Sequence, residues 1–74
     1  HITTGTTAAK SGGSHTVTVT LSAGAAFTSA TSYVCTGIAE SAVATVTNIT
    51  YNSGSSFTIL TGANSTVNYI CIGN

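Results

Sequence analysis

The tightest constraint on folding lies in residues 15–21, His15-Thr16-Val17-Thr18-Val19-Thr20-Leu21, where polar and aliphatic side chains alternate without a break. Successive side chains of a strand point to opposite faces, so Val17, Val19 and Leu21 share one face and Thr16, Thr18 and Thr20 the other. This is the pattern of a strand buried on one side and wet on the other. A helix would scatter the same residues around its circumference, and its β-branched side chains would lose rotamer freedom against the preceding turn.

The same reading extends down the chain. Tyr33-Val34-Cys35-Thr36 is a short strand ended by Gly37, with Tyr33 and Cys35 on one face. Residues 42–51 read AVATVTNITY. Strict alternation there puts Val43, Thr45, Thr47, Ile49 and Tyr51 on one side and Val46 on the other. Asn52-Ser53-Gly54-Ser55 is a hairpin-type loop, with Gly for the unusual backbone angle. Phe57-Thr58-Ile59-Leu60 follows, Thr61-Gly62-Ala63-Asn64 turns the chain, and residues 67–72 close it with Val67, Tyr69 and Cys71 on one face. Short strands at this spacing predict an all-β domain over residues 15–74, a small antiparallel β-sandwich or barrel of about five to seven short strands. Residues 1–14 are polar, Gly-rich and without clear period. They are expected to be a polar linker or an extended N-terminal arm, or a strand exchanged onto a neighbour's sheet.

Size and charge then bear on partners. A chain of 74 residues forms one domain and buries only about 60% of the surface its unfolded form exposes. Domains this small usually need a staple or a partner subunit. The charged side chains are Lys10 and Glu40 alone, where soluble monomers carry roughly a quarter charged residues. Nothing electrostatic keeps copies apart, which favours a homo-oligomer. One Lys and no Arg exclude electrostatic binding of nucleic acid or an anionic membrane surface. No apolar run approaches the roughly 20 residues of a spanning helix, so membrane insertion is not expected.

Chemistry-bearing residues are few. Glu40 is the sole acidic side chain, which excludes a two-carboxylate glycosidase site within one chain. No G-x-S-x-G elbow is present. The histidines and cysteines lack the C-x-x-C or H-x-x-x-H spacing of a metal site. The chain is therefore expected to be no enzyme and to hold no cofactor or metal. Cys35 and Cys71 fit either one disulfide worth about 3–4 kcal/mol or two buried thiols acting as small hydrophobes. They lie in an internal echo, Tyr33-Val34-Cys35-Thr36-Gly37 against Tyr69-Ile70-Cys71-Ile72-Gly73. If the two strands are neighbours in register, the cysteines could bridge. Asn48-Ile49-Thr50 and Asn64-Ser65-Thr66 are glycosylation sequons. Asn64 lies in a turn, while Asn48 lies mid-strand. Tyr51 and Asn52 are the candidates for contact with a glycan, an aromatic face beside an adaptable amide.

Several stretches together resemble a known class of domain. They are residues 15–21, Phe27-Thr28-Ser29-Ala30-Thr31-Ser32-Tyr33-Val34-Cys35, Thr50-Tyr51-Asn52-Ser53-Gly54-Ser55-Ser56-Phe57-Thr58, and Asn68-Tyr69-Ile70-Cys71-Ile72-Gly73-Asn74. They are similar to small C-terminal domains of phage tail-fibre-like and collagen-like or repeat-rich bacterial surface proteins. The resemblance covers residues 15–74. It implies a trimeric β domain that ends a fibre, extracellular, on a cell surface or virion, which sometimes contacts a host glycan. The alternative is a self-polymerising, pilin-like filament subunit that uses the N-terminal arm for strand exchange.

Overall fold

The computed structural model describes residues 1–7, 15–40, 46–62 and 66–74, and of His15 and Thr47 the backbone alone. Six strands follow one another: β1 (Ile2–Thr6), β2 (His15–Thr20), β3 (Tyr33–Ala39), β4 (Val46–Ser53), β5 (Ser56–Thr61) and β6 (Val67–Gly73). They form two three-stranded antiparallel sheets, ordered β1-β6-β3 and β2-β5-β4. Among the described residues there is no helix. The sheets pack face to face, and among the described residues no ladder joins them, which makes a sandwich and not a closed barrel.

The inner faces follow the period-two pattern. Phe57, Ile59, Val67 and Cys71 are fully buried, and Leu21, Phe27, Tyr33 and Cys35 complete the core around them. Burying a side chain the size of Phe57 or Ile59 contributes about 1.5–3 kcal/mol. Phe57 of one sheet meets Tyr69 of the other edge-on at 5.2 Å and Tyr33 at 6.3 Å. Phe27 lies in the connection between β2 and β3, stacked on Tyr33 at 4.3 Å.

Residues 1–14, expected to be a polar linker, an extended arm or an exchanged strand, include strand β1. Ile2–Thr6 pairs with β6, Ile2 opposite Ile72 and Thr6 opposite Asn68. Its inward residue is Thr3, buried because its hydroxyl donates to the Ala25 carbonyl at 2.8 Å. A strand that buries a satisfied hydroxyl and exposes its one large aliphatic, Ile2, leaves no hydrophobic alternation to read. The rest of that stretch, residues 8–14, lies outside the described residues.

In β4 the side-chain phase also departs from strict alternation. A bulge between Val46 and Asn48 shifts the register, so Val46 packs on the core with Ile49 and Tyr51. One extra residue on one strand reverses the facing of everything before it. Val43 and Thr45 lie outside the described residues. At the other end, Ser53 pairs with Ser56 and Gly54-Ser55 make the hairpin loop. The Phe27 amide donates to the Gly54 carbonyl at 2.7 Å. A Cβ on Gly54 would stand 2.8 Å from the Phe27 carbonyl carbon, so the loop tip is glycine because another backbone lies against it.

Candidate interaction surfaces

Cys35 and Cys71 are bridged. They stand directly opposite each other on β3 and β6, both on the buried inner face. The bridge ties a central strand to an edge strand 36 residues away in sequence. Neither sulfur is free, so the pair offers no thiol for metal or redox chemistry. Among the described residues, no three His, Cys, Asp or Glu side chains group to hold a metal ion.

Between the edges of β3 and β4 lies a cleft of about 290 Å³, lined in part by Gly37, Val46, Asn48, Ile49 and Tyr51. Tyr51 closes one end of it. Its hydroxyl accepts from the Cys35 amide at 2.8 Å and donates toward the Cys35 carbonyl at 3.4 Å. Its ring meets Tyr33 edge-on at 5.0 Å. A single side chain thus satisfies the two backbone groups a neighbouring strand would otherwise take, which blunts the β3 edge. Tyr33 turns its own hydroxyl to the hairpin and donates to the carbonyls of Ser53 at 2.8 Å and Ser56 at 3.2 Å. Burial holds the Tyr33 hydroxyl above the usual phenol range, and neighbouring Tyr51 adds to it.

Tyr51 and Asn52, paired as candidates for sugar contact, are not brought to one surface. Tyr51 faces the core, whereas Asn52 is exposed and donates its Nδ2 to Thr58 Oγ1 at 3.0 Å. Neighbours on a strand point to opposite faces, so adjacency in sequence argues against a shared platform. Asn48 is exposed on β4 at the mouth of the cleft. Asn64 lies outside the described residues.

The two outer faces differ in chemistry. On β2-β5-β4, Thr18 stands opposite Thr58, and Thr58 opposite Thr50. The Thr18 and Thr58 hydroxyls lie 3.3 Å apart. On β1-β6-β3 the first cross-strand row is Ile2, Ile72 and Val34. The second is Thr4, Ile70 and Thr36, and the third is Thr6, Asn68 and Ile38. The five aliphatic side chains of these rows are exposed, from 37% at Ile70 to 74% at Ile38. The polar end of the face is a small network. Thr6 donates to Asn68 Oδ1 at 2.7 Å, Asn68 Nδ2 donates to Glu40 Oε1 at 3.1 Å, and Thr66 donates to Glu40 Oε2. The Thr66 and Asn68 hydrogen bonds hold the Glu40 carboxyl below the usual glutamate range.

Sequence reasoning placed Val34, Ile70 and Ile72 opposite the Tyr and Cys faces but drew nothing from them. The available signal was that Tyr-Val-Cys and Tyr-Ile-Cys-Ile are apolar at both parities, the mark of a strand expected to be covered on both sides. No protein family, curated protein or solved structure matches the chain.

Proposed function

We propose that this domain is a non-enzymatic structural and adhesive module that assembles with copies of itself, as a trimerising tip domain of a phage tail fibre or bacterial surface fibre. It would work outside the cell, on a cell surface or virion, and contact a host-surface glycan. The observation that carries this reading is how little charge the folded surface displays. The strand residues on both outer faces are hydroxyl, amide or aliphatic, and Glu40 stands past the end of β3. Surfaces of that kind pack against one another without desolvating an ion. The hydroxyl and amide side chains of Thr18, Thr50, Asn52 and Thr58 support the glycan contact, since they offer donors and acceptors without charge. The test is the mass in solution by light scattering at micromolar concentration. A discrete trimer supports the reading, and a monomer across the range removes it.

One observation favours the filament alternative. β1 is an edge strand bonded to a strand more than sixty residues away, and a neighbour's β1 could make the same bonds. Deleting residues 1–14 would then abolish polymers while leaving the bridged β2–β6 core folded. Polymers that persist without the segment would exclude strand exchange.

A further inference from the structure

We infer that the open edge of β2 pairs antiparallel with β2 of a second copy, about a two-fold axis through Thr18, so that the sheet β2-β5-β4 runs on into its counterpart. This rests on the premise above that copies assemble, and it adds a two-fold contact that a trimer does not contain.

An edge strand presents a row of unpaired N–H and C=O groups, and proteins blunt such edges with bulges, charge, proline or a covering group. The edge strands are β1 and β3 in one sheet and β2 and β4 in the other, and they are not equally guarded. On β3 the Tyr51 hydroxyl serves both backbone groups of Cys35. On β4 the register breaks between Val46 and Asn48 and again between Tyr51 and Ser53. β1 is five residues long with Gly5 among them, and glycine weakens a strand. β2 lies along β5 from His15 to Thr20 without a break in register. It holds no glycine, proline, lysine or acid.

The outward backbone groups of β2 follow from its ladder. The Leu21 amide donates to the Ser55 carbonyl at 2.7 Å, one residue past the strand. Alternate residues of an antiparallel strand bond to the same neighbour. Val19 and Val17 therefore exchange bonds with β5, and Thr16, Thr18 and Thr20 turn their N–H and C=O groups away from it. The 3.3 Å approach of the Thr18 and Thr58 hydroxyls fits, because side chains come closest at the pairs that exchange no bonds. Among the described residues no other group takes up these backbone donors and acceptors.

What fits a row of backbone groups is another extended strand, and the side chains of β2 select its own copy. Residues 16–20 read Thr-Val-Thr-Val-Thr, the same in both directions. Antiparallel pairing of this edge with itself sets Thr18 against Thr18, Thr16 against Thr20 and Val17 against Val19. The Thr pairs carry the outward backbone groups, so each exchanges both of its bonds. Their hydroxyls remain on the wet outer face, where Thr pairs across strands stabilise a sheet. Val17 and Val19, half-buried within one copy, meet on the inner side at the closer spacing. A register two residues away in either direction loses a Thr pair.

Two measurements test the inference. The first is mass by light scattering for Thr18→Pro, with Thr4→Pro on the β1 edge as the control. The Thr18 N–H points away from β5, where an edge strand accepts proline, and circular dichroism verifies the fold. Thr18→Lys sets like charges opposite each other and serves as a second variant. Both Thr18 variants should halve the native mass, while Thr4→Pro keeps it. A native dimer broken this way keeps the edge and removes the trimer, and a hexamer that falls to trimers keeps both. An assembly that the Thr18 variants leave whole, or that Thr4→Pro breaks equally, overturns the β2 edge and leaves self-assembly standing. A native chain that is monomeric throughout overturns both. The second measurement is disulfide linkage between copies under a mild oxidant, the native cysteines being bridged. Bonded partners stand about 5.5 Å apart at Cα, within disulfide range. Thr18→Cys should link to itself, and Thr16→Cys should link only when mixed with Thr20→Cys. Equal self-linkage of Thr16→Cys and Thr18→Cys overturns the axis through Thr18.

Discussion

The two sheets of this sandwich are built alike and finished differently. Each has three antiparallel strands of five to eight residues and one buried face. The sheet β2-β5-β4 ends outward in rows such as Thr18, Thr58 and Thr50, where the Thr58 hydroxyl lies within bonding distance of Thr18 and accepts from Asn52. The sheet β1-β6-β3 ends outward in Ile2, Ile72 and Val34. Thr and Ile are both β-branched and suit a strand equally, so the difference does not serve strand formation. It sets which surface stays wet and which is available for burial. The disulfide falls in the apolar-faced sheet, between its central strand and one edge.

The first way to break the comparison is to remove that bridge. Closing a loop of 36 residues stabilises by about 4 kcal/mol through the unfolded state. A domain of this size holds little more than that in reserve. Cys35→Ala/Cys71→Ala is expected to be largely unfolded at 37 °C by circular dichroism. A variant with the native melting midpoint would show that hydrophobic burial alone holds the apolar-faced sheet.

The next effect concerns Tyr69, which has a glycine opposite it on both neighbours, Gly5 on β1 and Gly37 on β3. Its ring lies over Gly5, where a Cβ would stand 2.6 Å from the ring carbon Cζ. Gly5→Ala must displace a ring that packs on Phe57, and overpacking of this sort costs about 1–3 kcal/mol. Chemical denaturation measures it. No loss would mean that the ring has another place to go.

Tyr51→Phe removes the hydroxyl that serves both backbone groups of Cys35. The expected loss is about 1–2 kcal/mol, with faster amide exchange at Cys35. Unchanged exchange there would show that water replaces the hydroxyl without penalty. This substitution probes the seam between the sheets, where the apolar-faced sheet leans on the other for its edge.

Exchanging the finish of the outer faces should leave the monomer almost untouched. Thr18→Ile/Thr50→Ile places Ile on either side of Thr58, with a stability change within about 0.5 kcal/mol. Its consequence is association, because a chain with two apolar faces has no closed arrangement that covers both and forms open polymers. Sedimentation would detect them. A double variant that keeps the native mass would mean that exposed aliphatic side chains on a sheet face do not suffice to bring copies together.

Much of this organisation was legible in the chain. The alternation in residues 15–21 placed Val17, Val19 and Leu21 inward, and the Tyr-x-Cys echo placed Tyr33, Cys35, Tyr69 and Cys71 on inner faces. Local pattern could not show β1, because its partner β6 lies at the far end of the sequence and its inward residue is a threonine satisfied by Ala25. Nor could it show the bulge at Val46, which depends on pairing with Thr61 and Leu60. The separation of Tyr51 from Asn52 follows from strand geometry and could have been drawn from sequence. The exposed aliphatic row was readable as residues but not as a surface, since exposure depends on what the second face meets.

The smallest effect is that of pH, and it too separates the sheets. Glu40 has its folded pKa held below the ordinary 4.5 by Thr66 first and Asn68 second. A depressed folded value means the contribution is fully present above the unfolded pKa and is lost as pH falls through the folded one. The window therefore opens just below pH 4.5 and extends downward, and neutral pH lies outside it. Because the carboxylate is solvent-exposed, the loss should be slight. Thermal midpoints from about pH 6 to about pH 2 should fall further for the native chain than for Glu40→Gln, whose amide does not titrate in this range. Amide exchange should quicken at acid pH around Thr6, Thr66 and Asn68, which share the network, and not along β2-β5-β4, whose strands carry no acidic side chain. Equal quickening in both sheets would mean that acid acts on the whole domain and that Glu40 does not tie the polar end of the apolar-faced sheet.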